Sequence, residues 1–192
     1  MSLHRILQKF TVYDLVVISV MAALGVALKP VLVPLAHVVA APMGIPAGSF
    51  AGGLYMMWLV VGFGITGKYG TGTLIGLVQA AAVLLTGVTG SHGIMTLVSY
   101  TLPGIVMDLG LLLIRHRVCC RPCAFFAGML ANIAGTLSVN AVFFRLPAVY
   151  LILTISVAAL SGGIGGILSW QLLLLLKKYH IGRTEEDEED IE

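Results

Sequence analysis

The chain has 192 residues, 58% of them hydrophobic and 10% charged, and its mean hydropathy is +1.01, which excludes a soluble domain of ordinary composition. The formal net charge is only +2, but the charges are segregated: seven of the nine acids lie in the last eight residues, so Asp14 and Asp108 are the only acids before them. Six spans of about 20 residues would use most of the length, which leaves no room for a soluble catalytic domain.

Residues 1–12 read as a short amino-terminal segment carrying Arg5 and Lys9. Apolar runs follow at 13–32, 49–66, 71–86, 94–114, 124–144 and 148–176, bounded by Gly, Pro or charge. Runs of this kind cross the hydrocarbon core as helices, because backbone amides there must pair within the segment. The third run is short and the sixth long. Residues 33–48 contain Pro34, Pro42 and Pro46 and are expected to form a loop or re-entrant segment, because proline removes amide donors and clashes within helices. Lys29 and Pro30 interrupt the first run, which speaks against a cleavable signal. The acidic run from Glu185 to Glu192 reads as a solvated, disordered tail within 179–192.

The basic residues orient the bundle. With the amino terminus inside, the inner segments collect Arg5, Lys9, Lys68, Arg115, Arg117, Arg121, Lys177, Lys178 and Arg183, and the outer ones only Lys29 and Arg145. Nine against two is the bias expected when Lys and Arg are retained in the cytoplasm during insertion. The expectation is an all-α integral membrane protein of the cell membrane, a bundle of six transmembrane helices spanning 13–178 with both termini cytoplasmic.

Several motifs fail on context. Gly62, Gly64 and Gly67 fit G-x-G-x-x-G, and Gly62, Gly67 and Lys68 fit most of a P-loop, but Tyr69 stands where a P-loop needs Ser or Thr. The glycines also end a membrane run instead of opening a helix after a strand, so Lys68 reads as a topology anchor. Ser91 and His92 are adjacent in one loop, which does not give the convergent geometry of a nucleophile and its base. Cys119, Cys120 and Cys123 contain one Cys-x-x-Cys pair, short of the four ligands of a structural zinc site. The reading is a protein that is not an enzyme and uses no cofactor or metal.

Polar residues inside the spans are the default pointers to a site, since each is costly in hydrocarbon. They are Gln79, Tyr100, Asp108, Asn132, Thr136 and Asn140, with Tyr55 and Trp58 offering aromatic walls. Asn132, Thr136 and Asn140 recur every four residues and share one face of the fifth helix. Lys29, His37, His92 and Arg145 gather near outer loops, where a cavity would suit a small polar, ring-containing solute. Structural roles compete throughout: Asn and Thr hydrogen-bond neighbouring helices, and Lys29 and Arg145 can snorkel. The ligand-binding candidates are Lys29, His37, Tyr55, Trp58, Gln79, His92, Tyr100, Asp108, Asn132 and Asn140. Small residues at four-residue spacing occur as Ser19, Ala23 and Ala27, as Gly72, Gly76 and Ala80, and as Ser161, Gly165 and Ser169. Such stripes let helices approach closely, and the first is the candidate face for another membrane subunit.

The size, the six runs, the positive-inside pattern, the Ser19/Ala23/Ala27 stripe, the Gly87 to Gly93 loop (GVTGSHG) and the Tyr100 to Asp108 stretch (YTLPGIVMD) together resemble an S component of the energy-coupling factor (ECF) vitamin transporters, nearest the thiamine and hydroxymethylpyrimidine branch. The resemblance covers about residues 10 to 178. It implies high-affinity capture of a vitamin or precursor at the outer face. It also implies partnership with a transmembrane coupling subunit, met through Ser19, Ala23 and Ala27, and with two cytoplasmic ATPases; nucleic acid has no part. The alternative is a stand-alone secondary transporter or channel for a small polar solute, although neither an inverted repeat nor an ionisable relay is visible.

Overall fold

The computed structural model describes residues 10–87, 93, 95–115 and 117–179. Among them every regular element is helical: α1 Val12–Ala40, α2 Ala47–Thr66, α3 Thr71–Thr86, α4 Met95–Leu113, α5 Arg121–Val139 and α6 Ala148–Lys178. A 3-10 turn, Ala41–Met43, follows α1, and a π-turn, Asn140–Phe144, closes α5. Five of the six helices are long and apolar enough to cross a membrane, and α3 is a shorter apolar helix of 16 residues. The amino-terminal residues 1–9 and the tail from 180 onward lie outside the described residues.

The expected loop at 33–48 is corrected over its first half. Helix α1 runs through Pro30 and Pro34 to Ala40, and the chain leaves helical geometry only at Ala41. Each internal proline removes one amide donor, and membrane helices tolerate that where neighbouring groups satisfy the freed carbonyl. The later prolines do mark breaks: Pro42 opens the 3-10 turn, Gly44 takes a left-handed φ of 66°, and Pro46 is the N-cap of α2.

Helix α2 is the hub, packed against α1, α3, α5 and α6. Its contact with α6 is close enough that a Cβ on Gly53 would strike the backbone of Ser161, and one on Gly165 the backbone of Gly53. Ser161 fixes that crossing: its hydroxyl accepts from the Gly53 N–H at 3.1 Å and donates to the Phe50 carbonyl at 2.5 Å. Ser169 donates to the Met57 carbonyl at 3.0 Å, so the sixth-helix stripe lies in the bundle interior. The α5–α6 contact is similar, with Gly128 against Gly162 and Gly166. The third-helix stripe faces α4, where Gly72 meets Gly104 and Gly76 meets Tyr100. In contrast, Ser19, Ala23 and Ala27 are exposed on the outside of α1.

The contacts sort the bundle into two ends. At one end the start of α1, the α2–α3 turn and the α4–α5 connection come together: Asp14 pairs with Lys68, Phe10 lies by Gly70, and Arg117 lies beside Gly67. The Gly53–Gly165 and Gly64–Leu173 contacts make α6 run parallel to α2, which brings Lys177 and Lys178 to this same end. At the other end the 41–46 turn meets the start of α6, where Gly44 approaches Tyr150. Lys68, Arg115, Arg117, Arg121, Lys177 and Lys178 thus share one end, with Lys29 and Arg145 toward the other.

Lys68 does more than sit at a boundary. Its Nζ lies 2.6 Å from Asp14 Oδ2, with the side chains 7% and 1% exposed. The same Asp14 oxygen accepts from the Thr11 N–H at 2.7 Å and the Thr11 hydroxyl at 2.9 Å, which completes a capping box at the start of α1. One carboxylate therefore caps α1 and ties it to the α2–α3 turn. Removing one partner of a buried pair leaves an uncompensated charge, so Lys68→Met is expected to destabilise the protein by about 3–5 kcal/mol. Thermal unfolding in detergent checks this: adding Asp14→Asn should recover much of the loss, and equal losses in the single and double variants would contradict the assignment.

Candidate functional site

A cavity of about 570 Å³ opens at the end away from the basic loops. Helix α1 contributes Lys29, Val33 and His37, the 41–46 turn contributes Ala41, Gly44, Ile45 and Pro46, and α2 contributes Ser49, Tyr55 and Met56. Ser99 and Tyr100 come from α4, Gly135, Thr136 and Val139 from α5, and Leu146 from the turn before α6. The wall is mostly apolar with a few polar groups converging on it, which is the usual make-up of a small-molecule site.

Lys29 is the distinctive group. Its ammonium lies 3.6 Å from the centroid of the Tyr100 ring and 4.6 Å from that of Tyr55, so two π-faces take the place of water around it. Tyr55 is held in turn by its hydroxyl, which donates to the Gly48 carbonyl at 3.0 Å. Ser49 is fixed from behind, because Thr136 Oγ1 donates to its hydroxyl at 3.3 Å and Asn132 Nδ2 to its carbonyl at 3.1 Å. Carboxylate and thiol side chains are absent from the described lining.

Of the sequence candidates, Lys29, His37, Tyr55 and Tyr100 line this cavity, and Trp58, Gln79, Asp108, Asn132 and Asn140 do not. His92 and Ser91 lie outside the described residues. Asn132 bridges three helices, donating also to the Ala158 carbonyl at 2.9 Å. Asn140 Oδ1 accepts from the Leu146 N–H at 3.1 Å and closes the turn between α5 and α6. Gln79 packs into the space left by Gly25 on α1. The Trp58 indole N–H is buried without a hydrogen-bond partner among the described residues.

Asp108 serves the opposite end. Its Oδ1 accepts from the Gly72 N–H at 3.2 Å, and its Oδ2 from the Thr73 N–H at 2.8 Å and the Thr73 hydroxyl at 2.7 Å. Helix α3 begins after Gly70, which offers no capping side chain, so its first amides would otherwise be orphaned. A carboxyl from α4 caps them instead, and negative charge is favourable at that helix end.

Three lining residues, Ser49, Ser99 and Met56, are not singled out by the sequence, and Thr136 is not among its ligand-binding candidates. Thr136 carried a signal, as one of the intramembrane polar residues on α5. Ser49 and Ser99 stand near helix starts, where serine is unremarkable, and Met56 reads as core.

The family model described as ABC-type cobalt transport system, permease component, matches residues 13–134. The chain belongs to that family. A solved structure, described as the crystal structure of an S-component of an ECF transporter, superposes on this permease-family chain with a TM-score of 0.76. The match covers 90% of this chain and 88% of that one at 19% identity, a likeness of fold. No curated protein matches this family member. Family and fold together make it a multi-pass membrane transporter subunit.

Asp108→Ala should raise hydrogen exchange at the Gly72 and Thr73 amides and lower stability by about 1–3 kcal/mol, the cost of buried donors left unpaired. Mass-spectrometric exchange over 71–75 checks it, and unchanged protection would refute the capping role.

Proposed function

We propose that this chain is the solute-binding S subunit of an ATP-driven ECF-type importer for a vitamin or vitamin precursor. The observation that carries the proposal is the cavity with its Lys29–Tyr55–Tyr100 cluster at the end opposite the basic loops. By the positive-inside rule that basic end is cytoplasmic, as are both termini of the 13–178 membrane domain, and the cavity faces outward. In this reading the exposed Ser19, Ala23 and Ala27 face meets a transmembrane coupling subunit, and two cytoplasmic ATPases supply the energy.

The lining chemistry narrows the solute. The family's description names cobalt, but a bare divalent cation would find one imidazole, that of His37, beside the Lys29 amine, and no carboxylate or thiol from the described lining, short of a full ligand set. A positively charged ring such as that of thiamine would compete with Lys29 for the same Tyr55 and Tyr100 faces. A ring compound that is neutral or anionic fits better: an acceptor group takes the Lys29 N–H donors, the ring lies against Tyr55 or Tyr100, and Ser49, Ser99 and Thr136 offer hydroxyls. Within the thiamine-related group, that favours the neutral hydroxymethylpyrimidine.

A thermal-shift screen of the purified chain in detergent, without nucleotide, tests this. A neutral or anionic ring compound should raise the unfolding temperature, Lys29→Met should weaken its binding about tenfold or more, and Co(II) should have no effect. Stabilisation by Co(II) that survives Lys29→Met, or silence towards every ring compound, would overturn the proposal. Counterflow by proteoliposomes holding this chain alone would instead favour a secondary transporter.

A further inference from the structure

One group of three metal-ligating side chains comes together among the described residues, and it lies far from the cavity. The Sγ atoms of Cys119, Cys120 and Cys123 are all within 4.8 Å of one another, with Cys120 and Cys123 2.8 Å apart and Cys119 and Cys123 3.9 Å apart. All three are thiols rather than disulfides.

The backbone explains the convergence. Cys120 is the extended residue that caps α5, with φ −151° and ψ 164°, and Cys123 lies one turn inside the helix. The Cys119 N–H donates to the Arg117 carbonyl at 2.8 Å, a tight bend that folds Cys119 back over the same turn. Exposure is graded, with Cys119 exposed, Cys120 intermediate and Cys123 buried. An ion could therefore enter from solvent at Cys119 and seat against protein at Cys123.

We propose that Cys119, Cys120 and Cys123 form a three-thiolate site for a thiophilic closed-shell metal ion, Cu(I) or Zn(II). Sulfurs about 2.3 Å from a shared metal stand roughly 3.8–4.0 Å from one another. Cys119 and Cys123 already have that separation, and Cys120 needs only a modest side-chain rotation. Thiolate donors select these soft ions over the hard ones. Three thiolates leave a net negative charge on either complex. The positive end of the α5 dipole and the flanking Arg115, Arg117 and Arg121 favour that charge. Cu(I) is satisfied by three sulfurs, and Zn(II) takes water as a fourth ligand. Because the site is at the basic end, a bound ion is not the solute of the cavity; it pins the α4–α5 connection onto the first turn of α5.

The full chain, purified in detergent with reductant and kept anaerobic, is titrated with Zn(II) and separately with Cu(I), each against a chromophoric chelator. The expected result is about one equivalent of at least one ion bound at micromolar affinity or tighter, with Cu(I) also giving thiolate-to-metal charge-transfer absorption. Cys119→Ser, at an exposed position, should weaken binding about tenfold while leaving apo unfolding unchanged. The triple serine variant should lose stoichiometric binding. Undiminished binding by the triple variant, or no binding of either ion by the reduced wild type, would overturn the site. So would isolation of a Cys120–Cys123 disulfide whose reduced form takes no metal.

Discussion

Hydrocarbon offers no hydrogen-bond partners, and that constraint places most of the buried polar groups among the described residues. It accounts first for the helices, which satisfy their own amides. It accounts next for what the helices cannot satisfy alone. The orphaned amides at the start of α3 are capped by Asp108 from α4, and the charge of Asp14 is answered by Lys68. Asn132 spends its amide on carbonyls of α2 and α6. Each tie joins elements distant in sequence, so the cost of an unpaired group in lipid becomes information about which helices are neighbours.

Close helix packing complements these ties. Lipid tails are as apolar as leucine, so association rests on contact between backbones and on interhelical hydrogen bonds. Gly53 with Gly165, and Gly128 with Gly162 and Gly166, allow α2, α5 and α6 to approach until side chains would collide. The cavity lies at the end where this close packing gives way to the 41–46 turn. There Lys29 is solvated by Tyr55 and Tyr100 in place of water, a polar centre that a solute can engage without first unpairing a carboxylate. A closely packed core with a basic end and a cavity end is the geometry on which the proposed capture of a solute rests.

Much of this was legible in the sequence, because lipid imposes strong rules. Run lengths located the helices, and the separation of Lys29 and Arg145 from Lys68, Arg115, Arg117, Arg121, Lys177 and Lys178 anticipated the two ends of the described bundle. Local proline chemistry misled at 33–40, since a membrane helix tolerates interruptions that would end a soluble one. The cavity was half legible. Lys29 and His37 stand out near outer loops, and Tyr55 and Tyr100 as aromatic walls within the spans. Asp108, Asn132 and Asn140 stand out equally as polar groups costly inside a span but are spent on caps and bridges, a distinction that depends on which amides and carbonyls lie opposite them. The Asp14–Lys68 pair was hidden because its partners are 54 positions apart, and one of them already had an adequate explanation as a topology marker.

In the proposed orientation the cavity and the basic loops open to opposite sides of the membrane. Two variants in whole cells test it with a membrane-impermeant maleimide. One carries Ser99→Cys at the cavity wall with the native cysteines replaced by serine, and the other keeps only the exposed Cys119. S99C should be labelled from outside, with protection by the bound solute, and Cys119 only after the membrane is opened. Labelling of Cys119 in intact cells, with S99C silent until lysis, would contradict it.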